Sequence, residues 1–376
     1  MKSIIFLLLC LFPVLKSTGN GTDVRSRSDH GRELEDKKIR QFTIVENDTL
    51  SYTLNLVLDD SGRPQYFFRN IFTPVCYTNE CKPVYVDFYW DLLGNYQRYE
   101  MPEGKIFTKV DHDEFKEEDY KKMADILSRP NSIFANLEMD DLITKGTDDL
   151  TDNVDAKTGA TMKAIKNDVI EGAVYTCYTL WHIAYGKHVI AEMKKITESY
   201  LNDDLLHTFL SSNNYHYQYW AMDQVMDKNG AVKKGYEKDI ENIISGTNLF
   251  TARTALQKVE TTFFSGVTRQ SWLWNTYQTS SYPLQIAILK KLTAIPINKK
   301  LSDDLAASIL GANHEQFNLK VGILATQKSL PESTLSILAK SLGNEQVRDP
   351  EALYRILTKF PPQNKQTKAQ IKQYKK

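Results

Sequence analysis

Residues 50–72 read LSYTLNLVLDDSGRPQYFFRNIF. Two runs of alternating or continuous apolar and aromatic residues flank DDSGRP, a cluster of turn formers, so the stretch predicts two strands joined by a turn. FTIVE (42–46) before it and PVYVDFYW (83–90) after it carry the same signal. DLLGNYQ (91–97) supplies another turn, predicting a hairpin that continues into YQRYEM (96–101). KEEDYKKMADILS (116–128) reads as a helix stopped by Pro130. An α+β domain over 41–190 is therefore expected.

The second half of the chain has a different rhythm. Five segments superpose: 209–225, 243–259, 276–292, 308–324 and 339–357. Their turn positions Asn214, Asn248, Ser281, Asn313 and Asn344 are 34, 33, 32 and 31 residues apart, and each segment ends on an aliphatic anchor: Val225, Val259, Leu292, Leu324 or Ile356. A helical hairpin of that size cannot bury its apolar face alone, so neighbours must stack. The expectation is an α-helical repeat domain over 200–360 that resembles HEAT-type arrays. Residues 361–376, PPQNKQTKAQIKQYKK, read as a polar, basic, frayed tail.

Composition narrows the partners. Of 376 residues, 47 are basic and 47 acidic, which argues against nucleic acid or an anionic membrane as a global partner. The N-terminus MKSIIFLLLCLFPVLKSTGNG has an early lysine, a short apolar run and then small residues, the layout of a signal peptide over 1–19. Leu9 stands before Cys10 where lipidation would place a small residue. Residues 20–40 are polar and aperiodic, a flexible leader. The protein is thus expected to be exported, periplasmic or associated with the cell envelope. In that compartment Cys76 and Cys81, flanking a four-residue polar turn, read as a local disulfide. Asn20 and Asn47 open glycosylation triplets.

Several residue types invite a chemical reading. Asp111, His112 and Asp113 resemble metal ligands, but neighbours on an extended segment alternate faces, so a solvated loop is expected. Cys177 and His182, five residues apart, point about 140° apart on a helix and make a poor joint site. Cys177 is expected to be a buried thiol, and Tyr178, Trp181 and His182 to pack in the core or line a cofactor pocket. Trp272, Trp274 and Tyr277, and the cluster YHYQYW (215–220), are candidates for core or for a binding surface.

The sharpest motif is DAKTGAT, residues 155–161, after the polar loop 144–153. Apolar residues Ile165, Val169, Ala173, Cys177, Leu180, Trp181 and Ala184 recur at helical steps and predict one helix from about Ala160, ending near Gly186. Asp155 and Thr158 can cap it, Gly159 and Ala160 leave room for a phosphate, and Thr161 presents a hydroxyl at its positive end, with Lys163 and Lys166 nearby. A plain capped helix explains the same residues.

The stretch resembles the D-x-x-[ST]-G-A-T signature of FMN-binding domains, the flavin carriers of sodium-pumping quinone reductases and Rnf complexes. That resemblance implies an FMN-binding-like α+β fold and FMN joined to Thr161 by a phosphoester. Asp155, Thr158, Gly159 and Ala160 would complete the cofactor-binding set. It further implies a flavin transferase for maturation, a redox partner protein or membrane electron-transfer complex, and electron transfer rather than turnover of a substrate of its own. Met162, Lys163 and Ala164 follow the threonine where the family often has another hydroxyl residue. A flavin-free envelope scaffold that keeps the fold remains the competing expectation.

Overall fold

Asp59 organises the first hairpin. Its Oδ1 accepts the Ser61 and Arg63 N–H groups at 2.9 Å each, and its own N–H donates to the Arg63 carbonyl. Gly62 takes φ +79°, a left-handed conformation open to glycine at little cost. These hydrogen bonds hold the Asp59 carboxyl below its ordinary range. The same device recurs at Asp91-Leu-Leu-Gly94-Asn95, where Oδ1 accepts from Leu93 and Asn95 and Gly94 has φ +78°. It appears a third time at Asp227-Lys-Asn-Gly230-Ala231, with φ +85° at the glycine. An Asp–x–x–Gly–x stretch therefore folds into one turn at three places.

The computed structural model describes residues 38–75, 82–109, 112–139 and 169–374. The chain is mixed α+β: one five-stranded antiparallel sheet, then many helices. It divides into two compact units at Val189/Ile190.

In the first unit the strands are β1 (Lys38–Asn47), β2 (Leu50–Leu58), β3 (Pro64–Thr73), β4 (Val84–Trp90) and β5 (Tyr96–Glu100), paired in chain order. β1 starts before Gln41, so Lys38, Ile39 and Arg40, read as leader, belong to the sheet. Both faces of the central strands are buried: Leu54, Leu56, Phe67, Phe88 and Trp90 on one side, Val57, Phe68 and Tyr89 on the other. The first face seats the helices α1 (Glu117–Ser128) and α2 (Val174–Ala184). Trp90 Nε1 donates to the Ala184 carbonyl at 2.8 Å and Tyr99 Oη to the Tyr120 carbonyl at 3.2 Å, so the buried Trp90 and half-buried Tyr99 rings each satisfy their polar atom.

β3 and β4 pair up to Thr73–Val84. Cys76 and Cys81 lie outside the described residues, and the expected disulfide rests on the four-residue polar turn between them in the sequence. Non-reducing peptide mapping of secreted protein should recover a Cys76–Cys81 peptide. Alkylation of both thiols without prior reduction would exclude the pairing.

Beyond α3 (Lys187–Ser199) the second unit is built of hairpins. Their first helices are α4 (Asp203–Ser211), α6 (Glu237–Ile244), α8 (Val267–Thr279), α10 (Lys299–Ala307) and α12 (Glu332–Ser341). Their second helices are α5 (Tyr215–Val225), α7 (Leu249–Lys258), α9 (Tyr282–Leu292), α11 (His314–Thr326) and α13 (Pro350–Lys359). Within each hairpin the two helices pack together, and α5, α7, α9, α11 and α13 pack in series as a second row. Asn214, Asn248, Ser281 and Asn313 occupy the N-cap positions of α5, α7, α9 and α11, and the three asparagines accept first-turn N–H groups. In the fifth hairpin Asp349 is the cap and Pro350 the first helical residue, so the turn residue is Asp349 rather than Asn344. All five anchors from Val225 to Ile356 are buried.

Neighbouring hairpins are stitched by polar contacts. The buried Gln270 amide donates to the Phe264 and Pro296 carbonyls and accepts from the Asn298 backbone and side chain, using its full capacity. Asp303 accepts from Ser333 and Thr334. Lysines in the last turns of second-row helices reach back: Lys258 pairs with Asp223, Lys291 donates to the Val259 carbonyl, and Lys359 to the Ala325 carbonyl at 2.7 Å. Two of these fill orphan carbonyls at the end of the preceding helix.

Residues 365–374, read as frayed tail, form α14 (Lys365–Tyr374) instead. Asn364 accepts from Gln366 and Thr367, Thr367 is buried, and Tyr374 meets the Tyr354 ring, so capping and one packed edge order a stretch poor in apolar residues.

Candidate functional site

The residues singled out for a cofactor, Asp155, Thr158, Gly159, Ala160 and Thr161, lie outside the described residues, as do Lys163 and Lys166. What precedes and follows them is described. The helix expected to run from about Ala160 to Ala184 is broken: α2 starts at Val174, and residues 169–173 are turn and coil. Gly172 takes φ +72° and Ala173 caps the helix without a side-chain bond. The apolar steps through Ile165 and Val169 thus carried the periodicity across a chain reversal. The positive end of α2 is at Val174, thirteen residues after Thr161 in the sequence.

α2 is held by its aromatic face. Tyr178 Oη donates to the Leu137 carbonyl at 3.1 Å, Trp181 Nε1 to Arg129 at 3.0 Å and Tyr185 Oη to Leu127 at 2.6 Å. These carbonyls belong to the end of α1 and the 3-10 turn at Ile133–Asn136, where Phe134 packs against Tyr178 and Trp181. Rings at three- and four-residue spacing therefore clamp the segment after α1, with their polar hydrogens spent on backbone. Of the two readings of Tyr178 and Trp181, core packing is the one observed. His182 lies against Tyr178, with ring centroids 4.2 Å apart. Burial pulls its imidazole below the ordinary range, opposed by a backbone hydrogen bond with Phe134.

Cys177 is fully buried, accepts from the Ile170 N–H at 3.4 Å, and burial pushes its thiol up to about 12. A thiol so poor in thiolate is not a nucleophile at neutral pH. Cys177 and His182 do not form a joint site.

The remaining candidates resolve individually. Asp111 lies outside the described residues; His112 is exposed at φ +66°, and no group of three metal-ligating side chains occurs among the described residues. Trp274 and Tyr277 stack in the core at 4.7 Å, while Trp272 is half-buried. In the 215–220 cluster Tyr217 stacks on Phe209 at 4.1 Å, whereas Tyr215 and His216 face solvent. No described helix is long and apolar enough to cross a membrane.

Two features escaped the reading of the sequence. Lys320, in the middle of α11, is buried, donates to the Ser308 carbonyl at 2.8 Å and stands 5.3 Å from the Tyr277 ring; desolvation lowers its ammonium to about 8. Phe250 and Tyr282, unremarkable in sequence, join Tyr215 as exposed rings at the starts of second-row helices. The chain matches no protein-family model, no curated protein and no solved structure.

Proposed function

We propose that the protein is an exported flavoprotein in which Thr161 carries FMN through a phosphoester, while a HEAT-like array of helical hairpins docks a redox partner or membrane electron-transfer complex. The match of residues 155–161, DAKTGAT, to the flavin-attachment signature carries the reading. The sheet-and-helix makeup of the first unit is compatible with a small α+β carrier domain. The donor set suits a phosphoester: a threonine hydroxyl, a glycine and an alanine without bulk, and two lysines close in sequence. When bound, the flavin supplies the electron-transfer chemistry, and the chain's task is to hold the phosphate and shield the ring.

A flavin-free envelope scaffold is the second reading. It is favoured by the start of α2 at Val174, so the described helix does not begin at the motif as the sequence suggested. Intact mass spectrometry of protein coexpressed with a flavin transferase separates the two. One flavin adduct on wild type and none on Thr161→Ala, with unchanged circular dichroism, is the expected result. Unlabelled wild type, or a labelled Thr161→Ala, leaves the scaffold.

A further inference from the structure

The two edges of the sheet are unlike. β5 has five residues and packs against α1. β1 has ten residues, KIRQFTIVEN, without Pro or Gly, and among the described residues no strand pairs with its outer side. A long edge of this kind leaves N–H and C=O groups facing outward, a template for another strand. Its side chains are open as well. Ile39 and Val45, on the sheet face of Val57, are 41% and 62% exposed. Lys38 and Glu46 are exposed at its two ends. Lys38 Nζ donates to the Asp60 carbonyl at 3.1 Å and Glu46 accepts from Tyr52 Oη at 2.8 Å, so each has a neutral partner and neither is ion-paired among the described residues.

Pairing geometry limits what β1 can do with a second β1. Antiparallel strands set opposite each other two residues that both point their N–H and C=O groups across the gap, or two that both point them away. Partners in a two-fold pair of β1 strands are therefore both odd-numbered or both even-numbered, and the axis passes through a residue. With the axis at Phe42, Lys38 of one copy meets Glu46 of the other, and Ile39 meets Val45, twice each by symmetry. With the axis at Gln41, Lys38 meets Ile44 and Ile39 meets Thr43. With the axis at Thr43, Ile39 meets Asn47 and Val45 meets Gln41. Of the three, the Phe42 register alone sets opposite charges and the two exposed aliphatic residues against each other. The irregularity in β1 falls after Val45, which leaves residues 38–45 regular.

We infer that β1 is a dimerisation edge, on which two copies of the chain pair antiparallel through residues 38–46 and join their sheets into one. The interface is isologous, so every contact occurs twice. The main chain supplies about 8–10 hydrogen bonds, whichever set of residues faces outward. Ile39 and Val45 cover each other, and the Lys38–Glu46 pairs fix the register. The pairing is independent of Thr161 and of any flavin.

Sedimentation velocity of the full chain between about 1 and 100 μM tests the inference, since a single strand pair is a small interface whose dimer should form across that range. Lys38→Glu and Glu46→Lys each turn two attractive contacts into two repulsive ones, and each should weaken dimerisation about tenfold or more. Both residues are exposed, so the circular dichroism and melting temperature of the variants should match wild type. Mixed together, the two single variants restore an opposite-charge pair at both ends and should form a heterodimer. The double variant Lys38→Glu, Glu46→Lys should dimerise like wild type. Amide hydrogen exchange in residues 38–46 should slow as concentration rises. A wild-type chain that stays monomeric to about 100 μM overturns the proposal. So does a dimer that both single variants preserve, or one that forms without added protection in residues 38–46.

Discussion

Gly230→Ala is expected to destabilise the helical unit by about 4 kcal/mol or more, at the extreme of single substitutions. Two penalties coincide there. Gly230 has φ +85°, and a Cβ at that position would stand 1.9 Å from the Lys258 carbonyl oxygen and 2.8 Å from the Glu260 nitrogen. Both obstacles are backbone, at the exit of α7, and the Glu260 N–H donates to the Gly230 carbonyl at 2.9 Å, so neither strand of chain can withdraw without breaking that bond. Gly62→Ala isolates the conformational part, because Gly62 sits in the same turn type at φ +79° with nothing within 4 Å of its Cβ position. That substitution should cost only about 1–2 kcal/mol. Urea unfolding of both variants, followed by circular dichroism, measures the difference. Equal costs would mean that the close approach contributes nothing.

Lys320→Met should stabilise the protein at neutral pH by about 2 kcal/mol. Burial lowers the folded-state ammonium from an ordinary 10.5 to about 8, a gap worth about 3 kcal/mol. Losing the hydrogen bond to the Ser308 carbonyl takes back about 1 kcal/mol. The sign follows from proton uptake. Between about pH 8 and 10.5 the folded lysine is neutral while the unfolded one still holds its proton, so unfolding takes up a proton and stability rises with pH. Below pH 8 the full penalty is present. The advantage of Lys320→Met should accordingly be largest below pH 8 and shrink toward pH 10.5. Burial raises the neighbouring Tyr277 hydroxyl above its ordinary 10.0, which keeps that group protonated through most of the window. A variant less stable than wild type at pH 7, or a difference flat from pH 7 to 10, would count against this account.

The sheet was legible because its signals were local and redundant. Period-two apolarity and the Asp–x–x–Gly–x turns at Asp59 and Asp91 specify the same hairpins, and the strands begin and end within a few residues of expectation. The hairpin array was legible at Asn214, Asn248 and Asn313, where a capping side chain marks a helix start. It failed at Asn344, because Asp349 followed by Pro350 is the stronger start signal and displaces the turn by five residues.

Periodicity misled at residues 169–173, since apolar spacing alone does not register that Gly172 adopts a left-handed conformation. For α14 the failure ran the other way. Its stability rests on Asn364 and on packing partners remote in sequence, which a scan for apolar faces overlooks. Lys320 was illegible for a related reason. A lysine on a helix reads as solvent-facing, and only the stacking of neighbouring hairpins encloses it. The cofactor motif is a different matter, a sequence signature whose residues lie outside the described ones.

The lysines that reach back from one hairpin to the end of the preceding one give the array a direction. The carbonyl at the end of α7 is completed by Lys291 on α9, and that at the end of α11 by Lys359 on α13. Each of these hairpins is finished only by the one after it. On the ribosome, where the chain emerges from its N-terminus, these two hairpins would each wait with a raw helix end until the successor appears. Trimming the chain from the C-terminus back to either of them recreates that unfinished state.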